Sequence, residues 1–225
     1  MWGYFERGGP IMWPLLALSI LGLTVVFWRW WALRQATTGV PAFLKELRGK
    51  LVARDVPGAI AVCERHGGPV ASIVKAGLLR LGRPKDEVER ALQDASAHEL
   101  SVLERGLPVL ATVAMVAPLL GFLGTVTGMI NSFEALASVG LNNPAAVAKG
   151  ISEALITTAA GLAIAIPVQM AYNYFVTSVN SLVRSMESAA HVVLESIGEG
   201  GNGDRTNADL RPASAPIHPA PAGAR

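Results

Sequence analysis

The chain has 225 residues, of which 51% are hydrophobic and only 16% charged, with 19 Lys+Arg against 17 Asp+Glu for a net charge of +2. A soluble domain carries about 25% charged residues, and the mean hydropathy here is +0.40. These figures exclude a soluble enzyme built on one large core, a secreted disulfide scaffold and a disordered protein. The small net charge also gives no basis for nucleic-acid binding, despite a pI near 8.9.

The shortage of charge is concentrated. Gly8 to Trp28, Gly106 to Phe133 and Ala154 to Val183 contain no charged residue. Each meets or exceeds the roughly 20 apolar residues that cross a bilayer as a helix. The expected fold is an all-α membrane protein with three transmembrane helices, the second and third extended into the cytoplasm, and a small helical cytoplasmic domain.

In chain order, residues 1–33 form an N-terminal segment and the first span. The span has no small-x-small cleavage site after its apolar core and ends in Trp28-Arg29-Trp30-Trp31. That ending reads as an interfacial aromatic belt with a basic anchor, so the span is retained. Arg29, Arg34, Lys45, Arg48 and Lys50 follow it, whereas only Arg7, beside Glu6, precedes it. The positive-inside rule places the N-terminus outside and the C-terminus inside. Residues 34–105 carry most of the charge and form the cytoplasmic helical domain, with Pro57 opening one helix, Gly67-Gly68-Pro69 closing it, and Pro84 starting the next. That last helix is expected to run without a turn signal into the second span, 106–133. A periplasmic connection, 134–150, holds one basic residue, Lys149.

The third span, 151–183, continues into a cytoplasmic extension, 184–197. There Val183, Met186, Ala190, Val193 and Ile197 recur at 3-4-3-4 spacing, a stripe best explained by packing within the subunit. The tail, 198–225, is rich in Gly, Pro, Ala and Asn and is expected to be disordered.

Cys63 stands alone, with no His and acid grouping to make it a nucleophile. His66, His98, His191 and His218 are scattered without metal-ligand spacing. The chain lacks H-E-x-x-H, G-x-S-x-G and phosphate-binding motifs, and no Asp lies in any span. An enzyme, a cofactor and a metal are therefore not expected.

In the second span Ala117, Gly121, Gly124 and Gly128 are spaced 4, 3 and 4, a small-residue stripe that lets helices approach closely, within one subunit or between several. Polar residues buried in hydrocarbon are more informative, because they face the bundle interior or a water-filled path. The second span offers Thr112, Thr125, Thr127, Asn131 and Ser132. The third offers Thr157, Thr158, Gln169, Asn173 and Thr177, with Glu153 at its rim. A single Thr is ordinarily bonded back to its own helix. Thr158, Gly161, Ala165 and Gln169 nevertheless share one narrow face able to line a pore, while Glu153 and Thr157 share a neighbouring face. Beyond Glu153 no span holds a carboxylate. If protons cross, the mid-membrane carboxylate must come from another polypeptide.

Two blocks, "APLLGFLGTVTGMINSF" (Ala117 to Phe133) and "GISEALITTAAGLAIAIPVQMAYN" (Gly150 to Asn173), resemble the MotA/TolQ/ExbB proton-channel family, and specifically its ExbB/TolQ branch. The likeness covers about Pro14 to Ile197. It implies a bacterial inner-membrane, multi-pass subunit assembled as a pentamer around an ExbD/TolR-like single-span partner that supplies a membrane Asp. Proton flow would turn one ring against the other and drive outer-membrane transport or envelope work, with a TonB- or TolA-like protein as a further partner. It also implies proton-path roles for Thr125, Thr158 and Glu153. The second hydroxyl of Thr157 leaves open which residue of the 157/158 pair faces the pore, and Thr127 stands where the family often has an aromatic residue. The MotA branch fits less well, since it usually has four spans. Two alternatives stay open: a TolQ-like or gliding-motility motor subunit, and a non-conducting scaffold whose small-residue spans only assemble.

Overall fold

Apolar helices without partners in water are stabilised by packing against one another, and a computed structural model shows how these three do so. It describes residues 2–37, 39–139 and 144–209, and every element among them is a helix. In order these are α1 (Trp2–Arg7), α2 (Met12–Thr37), α3 (Val40–Val52), α4 (Val56–His66), α5 (Gly68–Leu78), α6 (Lys85–Glu104), α7 (Leu107–Val139) and α8 (Pro144–Asp209). Helices α2, α7 and α8 each contain a stretch long and apolar enough to cross a membrane.

The charge distribution is expected to make one end of the bundle the outer one, and there the α1–α2 elbow at Gly9 meets Glu153. The inner end lies where Trp28 and Arg29 meet Gly106. From Met12 to Trp28 the helix rises about 24 Å at 1.5 Å per residue, which with the elbow approaches the roughly 30 Å hydrocarbon core of a bilayer. Between these ends Gly22 is closed upon by Val113 and Val168. A Cβ there would stand 3.2 and 3.1 Å from their methyls, so α2 lies against both other spans.

Beyond the spans α3, α5 and α6 pack against the C-terminal half of α8, with α4 behind them on α3 and α5. Met186, Ala189 and Val193 of α8 are buried among Phe43, Leu47, Ile73, Val74, Val88 and Leu92, in a core continuous with the membrane residues Leu110, Val113 and Val168. Of the 3-4-3-4 stripe, Met186 and Val193 are thus buried inside the subunit, and Val183 and Ala190 pack against the same core. Ile197's side chain lies outside the described residues.

Local signals set the helix boundaries. Asp55 caps α4, accepting from Gly58 N–H at 2.9 Å and pairing with Lys50 at 2.9 Å. The Lys50 ammonium and the Gly58 N–H hold its carboxyl below the usual range. Helix α3 ends in a paired-carbonyl turn, Asp55 N–H to Lys50 and Arg54 N–H to Leu51, each at 3.0 Å. That geometry demands a left-handed residue, and Arg54 supplies it at φ 54°.

Four features differ from the sequence reading. The passage from α6 into the second span is broken at Arg105–Gly106, where Gly106 takes φ 91°, a conformation open to glycine without a Cβ penalty. The connection expected over 134–150 is much shorter, since α7 runs to Val139 and α8 begins at Pro144. Its small residues permit tight helix packing and so carry the seam outward. Helix α8 continues over 198–209, where disorder was expected. An established helix extends one hydrogen bond per residue with no new nucleus, which offsets part of the glycine penalty. The rest of the tail, 210–225, lies outside the described residues.

The fourth difference concerns Arg29. It is no interfacial anchor: only 3% exposed, it turns inward and donates through Nη2 to the Leu103 carbonyl at the end of α6. The tryptophans around it stay exposed, and Trp30 carries the Arg34 guanidinium 5.0 Å from its ring.

Candidate functional site

The antiparallel seam of α7 and α8 is built from glycines. A Cβ on Gly121 would stand 3.0 Å from the Thr157 carbonyl and 3.1 Å from Thr158 Cα. On Gly161 it would stand 2.6 Å from the Ala117 carbonyl, and on Gly128 2.8 Å from that of Gly150. Ala117 is fully buried. All five residues expected to pack helices (Ala117, Gly121, Gly124, Gly128 and Gly161) therefore lie in one intrasubunit interface, where backbones approach closely.

Thr157 and Thr158 are separated by this seam. Thr157 is 1% exposed and bonded back to the carbonyls of Glu153 and Ala154, at 3.1 and 2.9 Å. Its side chain fills the notch left by Gly124, where a Cβ would meet Thr157 Cβ at 2.5 Å. Thr158 is half-buried, and its Oγ1 donates across the seam to the Gly121 carbonyl at 2.9 Å. Thr125 is also half-buried and donates to the Phe122 carbonyl at 2.6 Å. Since Gly124 faces Thr157 and Gly121 faces Thr158, Thr125 lies about one turn outward of Thr158. Both hydroxyl protons are committed to carbonyls, so each oxygen presents lone pairs that accept from water or hydronium. Thr127 bonds to Leu123 and Gly124 carbonyls at 3.1 and 3.2 Å.

Glu153 does not join them. At 100° per residue it sits about 140° around α8 from Thr158. Its carboxylate rests on the α1–α2 elbow, with Cδ 2.8 Å from where a Gly9 Cβ would be, and Gly9 has φ +69°. The structure brings Glu153 to the first span's outer end and Thr158 to the opposite side.

Other residues complete the seam. Gly150 has the Gly128 carbonyl 2.7 Å from its Cβ position, and buried Ser132 donates to Gly128 and Val147 carbonyls at 2.9 and 3.2 Å. Gly150 continues the small-residue face of α8 outward, a periodicity legible beside Ala154 and Gly161.

A family model described as the MotA/TolQ/ExbB proton channel family matches residues 66–188, more than half of the chain. The chain belongs to this family. Among its relatives, an ExbB-like biopolymer transport protein of Synechocystis sp. is 37% identical over 72% of this chain and 65% of its own length. An ExbB homologue of Methanothermobacter thermautotrophicus is 32% identical over 81% of this chain and 65% of its own. The Tol-Pal system protein TolQ of Pseudomonas aeruginosa is 35% identical over 73% of this chain and 76% of its own. The match thus spans slightly less than two thirds of the first two. A chain of the C. jejuni MotAB structure shares the fold, with a TM-score of 0.58 at 18% identity, covering 90% of this family member and 83% of that chain.

Proposed function

We propose that this chain is a proton-channel and stator subunit of the bacterial inner membrane, N-terminus outside. Together with an ExbD/TolR-like single-span partner it converts proton motive force into mechanical work for outer-membrane transport or envelope processes. One observation carries the reading. Thr125 and Thr158 offer acceptor oxygens in a membrane seam that, among the described residues, holds no carboxylate, histidine or basic side chain between Leu107 and Phe133 or between Ala154 and Val183. A proton cannot rest on a hydroxyl whose own hydrogen is engaged. It needs a carboxylate, and the partner's membrane Asp supplies one opposite this face.

The roles divide accordingly. Thr125 and Thr158 order water around the partner's carboxylate, Thr157 keys α8 into α7, and Glu153 holds the outer elbow of the first span. Copies of the chain, five by the family resemblance, surround the partner helices, and a TonB- or TolA-like protein takes up the work. The non-conducting scaffold draws support from one feature: the glycine stripe is wholly consumed by packing inside the subunit and needs no channel.

Thr158→Val and Thr125→Val decide between the two. Each keeps the bulk of the side chain and removes the oxygen, so the complex assembles and proton-dependent activity is lost. Full activity in both variants with the native partner refutes the assigned roles.

A further inference from the structure

The open face of α8 changes character along its length. At 100° per residue, Leu155, Thr158, Leu162, Ile166, Gln169, Asn173, Thr177, Asn180, Arg184, Glu187 and His191 fall within an arc of about 100°. Leu162 and Ile166, 46% and 58% exposed, make its middle apolar. Inward of them the centre of the arc, from Gln169 to His191, is polar and exposed, while half-buried Val176 and Leu194 pack along its edge.

The change begins with Gln169 and Asn173. Gln169 Nε2 donates to Asn173 Oδ1 at 3.1 Å, and Thr177 Oγ1 donates to the Asn173 carbonyl at 2.9 Å. No other hydrogen bond to either side-chain amide occurs among the described residues. Tyr174 and Ser178 line a cleft with Trp30, Leu33 and Arg34 at the inner end of the first span. Gln169 therefore lies about 7 Å outward of that level, inside the hydrocarbon.

An amide with unsatisfied donors and acceptors is strongly disfavoured in lipid, where no water can satisfy it. The face must meet water or protein. Its unbroken continuation through Asn180, Arg184 and Glu187 into the cytoplasmic part of α8 favours water, entering from inside and stopped at Ile166 and Leu162.

We propose that the Gln169–Asn173–Thr177 lane is the cytoplasmic half-channel of the proton path, a water-filled exit inward of the apolar collar of Leu162 and Ile166, in which water accepts the proton of the partner's carboxylic acid as hydronium and leaves the carboxylate. This rests on the channel reading above. The amides cannot titrate; they hold water by donating and accepting, and the proton passes from one water to the next. Thr158 and this lane are then the two wet ends of a path whose dry middle belongs to the partner.

The test uses the chain with its native partner in inside-out membrane vesicles, in a Cys63→Ala background. Single cysteines at positions 177, 173, 169, 166 and 162, and at lipid-facing position 20, are treated with a membrane-impermeant, positively charged methanethiosulfonate. Thr177→Cys, Asn173→Cys and Gln169→Cys are labelled, whereas Ile166→Cys, Leu162→Cys and Ile20→Cys are not. In parallel, the Gln169→Leu/Asn173→Leu double variant lowers proton flux about tenfold or more, a barrier increase of at least ~1.4 kcal/mol. Amide positions sealed against a neighbouring subunit would be as unreactive as Ile20→Cys. That result, or unchanged flux in the double variant, overturns the lane while wild-type flux leaves the channel reading standing. Absence of flux in the wild-type complex overturns both.

Discussion

Gly124→Ala tests the seam that positions the two threonines. The added Cβ would stand 2.5 Å from Thr157 Cβ, nearer to its hydroxyl oxygen, and 3.1 Å from its Cγ2. Ordinary carbon contacts begin near 3.4 Å, so α7 and α8 must part by about 1 Å. Thr157 cannot rotate away, because it is 1% exposed and bonded to two carbonyls of its own helix. Overpacking of this kind costs roughly 1–3 kcal/mol. Adding Thr157→Gly removes the three side-chain atoms that the new methyl meets and relieves the overlap. That single change alone destabilises by about 1–2 kcal/mol through lost packing and helix propensity. The double variant should therefore be more stable than the sum of the singles by about 1–3 kcal/mol. Reversible unfolding in mixed detergent micelles, followed by circular dichroism, measures all four corners of the cycle. A Gly124→Ala chain within about 0.5 kcal/mol of wild type, or strictly additive changes, would show that the seam is looser than drawn.

Other consequences concern the helices that follow the first span and its junction with them. Arg54→Gly relieves a left-handed non-glycine residue and should stabilise the chain by about 1 kcal/mol, read as a raised melting temperature; no rise would contradict the turn at the end of α3. Burial pushes the Cys63 thiol up to about 11, so a small maleimide should leave it unmodified at pH 7.5 and label it only on unfolding. With a folded value above the unfolded one, its contribution to stability is complete below about pH 9 and is lost as pH rises towards about 11. Denaturation midpoints should fall across that window in wild type and fall less in Cys63→Ala. Arg29→Ala removes the donor to Leu103 and opens a void, costing about 2–4 kcal/mol. Limited trypsin treatment should then cut faster after exposed Arg105, and an unchanged rate would mean that Arg29 does not brace the α6–α7 break.

The spans were legible because a bilayer imposes length and apolarity over many residues at once, and no single side chain can hide that signal. The glycine stripe was legible as a packing face, yet its partner was not. Spacing gives the face of a helix but not what lies across it. Thr157 and Thr158 show the limit most clearly. They are 100° apart on one helix, and only the position of Gly124 decides which is enclosed. Glu153 was placed with the proton path by its match to the family's motif, and helical phase turns its side chain towards Gly9. Arg29 follows the same logic: a basic residue between tryptophans at a span's end reads as an anchor until the broken end of α6 presents a carbonyl. The Gly106 break itself was carried by a lone glycine between two helical patterns, a signal that tertiary packing can override in either direction.

On the proposed function, this chain conducts protons only when another polypeptide contributes the membrane carboxylate. Proteoliposomes holding the chain with its single-span partner, driven by a potassium diffusion potential and followed by a pH-sensitive dye, test it directly. Proton uptake should appear with both proteins present and vanish when the chain is alone, when the partner's membrane Asp is changed to Asn, and in Thr158→Val. Uptake by the chain alone, or equal uptake with the Asn partner, would contradict the account.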